Sequence, residues 1–189
     1  MVKSGMTIRY VTAPEDMGAY HTWWMQNAPE GRAAVQSHVG RVCAFIALFC
    51  GLMAWLNPSL IPLIVFEALL GIGATMLFSP PGIRRGASAH AVQVYQAAEN
   101  AKLFGERTLE INEDGVLSVS VNATALYRWE LFGSVSATDT HAFLTLGTVT
   151  ALVIPRDTLA EGNWDAFVAE ARRLHLQATQ RVRVPAMAH

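Results

Sequence analysis

Two stretches decide the architecture of this chain: VGRVCAFIALFCGLMAWL, Val39 to Leu56, and LIPLIVFEALLGIGATMLF, Leu60 to Phe78. As α-helices they would measure about 27 and about 28 Å at 1.5 Å per residue, close to the roughly 30 Å hydrocarbon thickness of a bilayer. From Val42 to Phe78 the single charged residue is Glu67. A soluble helix shows a polar face at a period of 3.6 residues, and Val42 to Leu56 shows none. Asn57-Pro58-Ser59 lies between the stretches, and proline there ends one helix within a tight uncharged turn. The expectation is a transmembrane hairpin over 39–78. Arg32 precedes it, Arg41 stands at its very start ahead of the uncharged run, and Arg84 and Arg85 follow it, with no basic residue in the turn. Arg41, Arg84 and Arg85 therefore set a topology with both termini cytoplasmic.

Ala44, Ala47, Gly51 and Ala54 recur at a 3,4,3 spacing that places them on one helical face, and Gly71 and Ala74 offer a matching stripe on the second helix. Small residues so spaced permit close backbone approach, a helix-packing seam within the hairpin or between copies. In an antiparallel hairpin Glu67 falls near the depth of Gly51, an intramembrane polar contact. A lone carboxylate in hydrocarbon protonates or pairs. Two readings of Glu67 stay open: a hydrogen-bonded contact that holds a hairpin or oligomer together, and an ion or proton site. Against the second, two helices enclose no aqueous path and no second intramembrane charge is present. The two cysteines, Cys43 and Cys50, sit seven residues apart, about 10 Å along a helix, too far for a disulfide.

Outside the hairpin the texture is that of a soluble domain. The 189 residues suit about one domain plus an attachment. A net charge of −1 with 15% charged residues argues against nucleic acid as a partner. Met1 to Glu30 lacks an apolar core segment and contains Glu15 and Asp16, so no cleaved secretory signal is expected. Met6 to Val11 alternates as a half-buried strand, and Thr12 with Glu15 spells a capping box for a helix that ends at Asn27-Ala28-Pro29. After Phe78, Ser79-Pro80-Pro81-Gly82 reads as a helix stop, and Ser88 to Phe104 as a connecting helix.

From Arg107 the pattern becomes six strands: 107–112, 116–121, 124–130, 133–138, 142–146 and 149–154. Glu113-Asp114-Gly115 is a strong hairpin signal and Gly147-Thr148 a weaker one. Asn163 caps a helix whose apolar face is Trp164, Phe167, Val168, Ala171 and Leu174. Trp129 reads as a core anchor. The domain organisation is 1–38 strand and amphipathic helix, 39–78 hairpin, 79–104 connector, 105–178 soluble domain and 179–189 tail.

Gly105-Glu106-Arg107-Thr108-Leu109-Glu110-Ile111, Asp114-Gly115, Tyr127-Arg128-Trp129, Ile154-Pro155-Arg156 and the Trp164 to Leu174 helix together resemble the YcxB-like family of bacterial membrane proteins. The resemblance implies a short N-terminal strand, two closely spaced membrane helices and a C-terminal domain similar to the pleckstrin-homology (PH) type. The fold class expected is thus an α+β membrane protein, with the hairpin inserted between a strand and a small antiparallel PH-like barrel or sandwich capped by a helix. It implies no catalytic residue and places the chain in a bacterial inner membrane. In such barrels lipid headgroups are held by basic early loops, where this chain has Glu113-Asp114.

No GxSxG, HExxH, P-loop or GxGxxG run occurs, and the six histidines are scattered. No enzyme, no cofactor and no metal site is expected. The leading expectation is a membrane-anchored binding or scaffolding module that self-associates and recruits a protein partner. The alternative is a subunit of an oligomeric transport or stress-response assembly.

Overall fold

The computed structural model describes residues 5–147 and 150–183, with side chains through Arg181. The chain divides into two compact units, His21–His90 and a discontinuous one formed by Met1–Tyr20 with Ala91–His189.

The first unit is helical. Helix α1 (Pro14–Asn27), whose residues through Tyr20 belong to the second unit, ends where Ala28, extended at ψ 139° ahead of Pro29, lets α2 (Pro29–Leu56) begin with proline in its first turn. Helix α2 therefore starts ten residues before the apolar stretch. Asn57 and the 3-10 turn Pro58–Leu60 reverse the chain, and α3 runs from Ile61 to Gln96.

The expected stop at Pro80-Pro81 does not occur, since both prolines lie inside α3. Each forfeits one backbone hydrogen bond, to the carbonyls of Met76 and Leu77, but a φ near −65° is itself helical. The turns on either side continue the helix across them. The expected connecting helix is accordingly split, its first half belonging to α3 and its second forming the 3-10 turns Ala98–Leu103.

The second unit holds eight strands among the described residues: β1 (Met6–Thr12), β2 (Gly105–Asn112), β3 (Gly115–Ser120), β4 (Thr124–Tyr127), β5 (Phe132–Ala137), β6 (His141–Leu146), β7 (Thr150–Pro155) and β8 (Leu159–Glu161). They form two antiparallel sheets, β4-β3-β2-β1-β8 and β5-β6-β7. Strand β1 lies between β2, paired from Met6↔Ile111 to Thr12↔Gly105, and β8, paired at Arg9↔Glu161 and Tyr10↔Leu159. The β-rich unit thus takes an interior strand from before the long helices in sequence and that strand's neighbours from after them. Arg9 ties the three strands from above, ion-paired to Glu106 of β2 and Glu161 of β8.

The β2–β3 turn is closed by Asn112, whose Oδ1 accepts from the backbone N–H groups of Asp114 (2.8 Å) and Gly115 (3.2 Å). At Gly115 a Cβ would stand 2.2 Å from the Tyr127 carbonyl oxygen, so only glycine lets β4 approach. Thr148 and Val149, part of the weaker expected turn and strand, lie outside the described residues.

Of the barrel or sandwich expected from the sequence, a closed barrel does not form: the described strands make two separate antiparallel sheets. The strand expected over 124–130 stops at Tyr127, and the 3-10 turn Trp129–Leu131 carries the chain from one sheet to the other. Among the described residues no ladder joins the sheets, which share a core instead. Ile8, Tyr10, Leu109, Ile111 and Val116 of the first sheet meet Ala142, Leu144, Leu152 and Ile154 of the second. The core is closed by α4 (Trp164–Arg183), which places Trp164, Phe167, Val168, Ala171 and Leu174 inward and begins where Asn163 Oδ1 accepts the Ala166 N–H at 3.0 Å.

Candidate functional site

In the helical unit, α2 spans 28 residues and α3 36, and the most apolar 18-residue window of each candidate span has none of its residues buried. Trp55 is 77% exposed, Leu48 75% and Phe78 74%, an extended apolar surface of the kind that marks a contact with a membrane or another protein. Glu67 lies exposed, as do Ala44, Ala47 and Gly51, and a Cβ on Gly51 would meet nothing within 4 Å. Ala54, Gly71 and Ala74 are half-buried. Gly71 faces α2, where an added Cβ would lie 3.7 Å from Ile46 Cγ2. Most of the α2 small-residue stripe, with Glu67, is therefore free for other contacts, and the side of α2 toward α3 is bulkier. Thr75 returns its hydroxyl to the Gly71 carbonyl at 2.8 Å. Arg41 and Arg85 are exposed, Arg84 half-buried, and both cysteines are free thiols.

In the soluble unit, the gap left between the unjoined sheets is a cavity of about 220 Å³. Arg107 and Tyr127 border it from the first sheet, Leu146 and Leu152 from the second, and Tyr95 and Phe104 stand at its rim. The last two rings meet edge to face at 5.9 Å. Arg107 is paired across the ladder with Tyr10. The Tyr10 hydroxyl and Arg107 Nε are both buried, and neither has a partner of hydrogen-bonding geometry. Burial pushes the Tyr10 phenol well above its ordinary range, against the pull of the Arg107 charge. A second, larger depression of about 620 Å³ lies between the β2–β3 turn and α4 and is bordered by Glu113, Asn163 and Glu170. The Arg173 guanidinium bonded to Glu170 holds that carboxyl below its usual range.

Asp16 and His141, 125 residues apart, meet at 3.1 Å between Oδ1 and Nε2. His141 Nδ1 lies 2.9 Å from Thr140 Oγ1, and its ring stacks on Phe143 at 6.0 Å. Asp16 also accepts the Ala13 N–H at 2.7 Å. The carboxylate that reaches back to the start of α1 is thus Asp16 and not Glu15, because the helix begins one residue later than Thr12 implied. Glu15 accepts from Gln96 at 3.0 Å instead. The Thr138 hydroxyl receives the His141 backbone N–H at 3.0 Å, and the chain from the Thr140 hydroxyl through the His141 imidazole to the Asp16 carboxylate pins the β5–β6 turn to α1. Periodicity and local motif carry no signal for it. His175 is bonded through Nε2 to the Phe132 carbonyl at 2.8 Å, and no group of three or more metal-ligating side chains assembles among the described residues. Trp129 is buried, tilted on Phe132 at 5.6 Å, with its indole N–H spent on a backbone carbonyl.

Residues 111–171 match the family described as YcxB-like protein. The matched stretch runs from the end of β2 into α4 and leaves out β1 and both long apolar helices. No curated protein and no solved structure matches the chain.

Proposed function

We propose, from the premise that the β-rich core is YcxB-like, that this chain is a non-enzymatic binding module held at a bacterial inner membrane by the α2–α3 hairpin, with both termini cytoplasmic. One observation supports this above the others: the largely exposed apolar surface of the two spans, none of whose most apolar residues is buried. A bilayer removes that surface from water at roughly 25 cal/mol per Å². The outward small-residue face of α2 and the exposed Glu67 suit self-association with a second copy, where a carboxyl finds a hydrogen-bond partner.

For a protein partner the open sheet edge is the natural receptor. Strand β4 is terminal in its sheet, and Val119, Val121 and Leu126 stand exposed beside it. An extended segment added there would complete the ladder with main-chain hydrogen bonds and cover the apolar side chains.

The test is flotation of the full chain with neutral phosphatidylcholine vesicles, combined with protease access to a tag inserted beside Pro58. Co-flotation with a tag shielded in inside-out membrane vesicles is expected. A chain that stays in solution without lipid or detergent, or a tag cleaved in those vesicles, overturns the reading.

A further inference from the structure

Between the ends of α2 and α3 remote from the Asn57 turn lies a groove of about 380 Å³. Arg32 and Gln36 of α2 and Arg84 of α3 border it at one end, and Cys43, Met76 and Pro80 continue it toward the turn. Its wall is mostly apolar, with the two guanidiniums as its charges. Neither guanidinium meets a carboxylate among the described residues. Arg84 Nε is shielded from water and has no hydrogen-bond partner, a donor that costs free energy until an acceptor arrives. If the spans cross the bilayer, Cys43 and Met76 stand inside the hydrocarbon edge. Arg32 and Arg84 fall some turns beyond it, in the headgroup layer.

We infer that this groove is a binding site for an acidic phospholipid, with the headgroup phosphate between Arg32 and Arg84 and the upper acyl chain along Cys43, Met76 and Pro80. This rests on the membrane reading above and deepens it. Three properties select the occupant. Two cations with open donors call for an anion. An apolar floor continuous with the anion end calls for a hydrocarbon tail, which a free phosphate lacks. The depth is that at which basic pockets between membrane helices hold lipid headgroups.

The experiment uses the full chain reconstituted in mixed phosphatidylcholine and phosphatidylglycerol vesicles, extracted in mild detergent, with the co-purified lipid identified by mass spectrometry. Phosphatidylglycerol is expected to be enriched over phosphatidylcholine. The double variant Arg32→Ala, Arg84→Ala should lower that enrichment roughly tenfold or more, while still floating with neutral vesicles as a folded chain. Arg41→Ala with Arg85→Ala removes the same charge outside the groove and should leave the enrichment within about twofold of the unsubstituted chain. An equal fall in both double variants would mean general surface charge and overturn the site. Displacement of the retained lipid by excess glycerol phosphate would overturn the lipid assignment in favour of a soluble anion. A chain that fails to float with neutral vesicles overturns the membrane reading itself, whereas one that floats without preferring phosphatidylglycerol overturns only this inference.

Discussion

The indole N–H of Trp129 donates to the backbone carbonyl of Asn112 across 2.7 Å, joining the turn that switches sheets to the turn that closes the β2–β3 hairpin. Removing this donor leaves a carbonyl without its partner. Trp129→Phe is expected to cost about 1–3 kcal/mol, and Trp129→Ala about 3–5 kcal/mol through the added cavity. Pulse proteolysis in urea, reading cleavage of the soluble unit, checks the order Ala worse than Phe. Equal midpoints for Trp129→Phe and the unsubstituted chain would remove the hydrogen bond from this account.

Two glycines at turns make different demands. At Gly115 a Cβ collides with the Tyr127 carbonyl at 2.2 Å, whereas at Gly147, φ +64°, nothing lies within 4 Å. Gly147→Ala should therefore cost only the conformational penalty of about 1–2 kcal/mol. Gly115→Ala should cost more, because β4 must shift, and should raise amide exchange throughout β3 and β4. Exchange that rises no further in Gly115→Ala than in Gly147→Ala would contradict the steric argument.

Alkaline stability should depend on Tyr10. Burial keeps its phenol protonated in the folded chain, while an unfolded chain ionises near pH 10. Above that pH the unfolded state binds fewer protons than the native one, so stability falls as pH rises, by up to about 1.4 kcal/mol per pH unit for this group. Below it the contribution is complete and constant. Tyr10→Phe removes this dependence and also a buried hydroxyl lacking a hydrogen-bond partner, so near neutral pH the change is expected to be small. Thermal midpoints at pH 8 and pH 11 provide the comparison, the variant losing less than the unsubstituted chain.

Asp16 serves the Ala13 N–H and His141 at once. Asp16→Ala should lower the stability of the soluble unit by about 1–2 kcal/mol, the range of a lost helix cap. His141→Ala should free the β5–β6 turn without unwinding α1. Hydrogen exchange resolves the two: protection lost in the first turn of α1 only with Asp16→Ala, and at Thr138 to His141 with either.

Self-association through Glu67 is open to a matched pair of variants. Glu67→Gln keeps hydrogen-bonding capacity, and Glu67→Leu removes it. An interhelical hydrogen bond in a membrane contributes about 0.6–2 kcal/mol, so cysteine-independent crosslinking in detergent should show Glu67→Leu oligomers reduced roughly threefold or more and Glu67→Gln nearly unchanged. Unaltered crosslinking in both removes the contact.

Features that depend on neighbours in sequence were legible in advance. Asn163 as the cap of α4, that helix's inward face, the Glu113-Asp114-Gly115 turn and the reversal at Asn57-Pro58 each follow from a few adjacent side chains and their backbone preferences. The seven strands read from alternation are all present, with shifted ends. Strand β8 was not legible, since Leu159–Glu161 is three residues long, too short for a period of two to register. The proline pair misled for a related reason. Its local preference is to stop a helix, and the length of helix on both sides overrode it.

The high hydrophobicity of Val42 to Phe78, interrupted in charge only by Glu67, is a sum over consecutive residues and is complete in the sequence. Which strands neighbour each other is not. The seat of β1 between β2 and β8, the meeting of Asp16 with His141 and the sharing of one groove by Arg32 and Arg84 join positions from about 50 to about 150 residues apart. Such pairings are chosen by the closure of a shared core and by helix register, free energies that belong to no single stretch of chain.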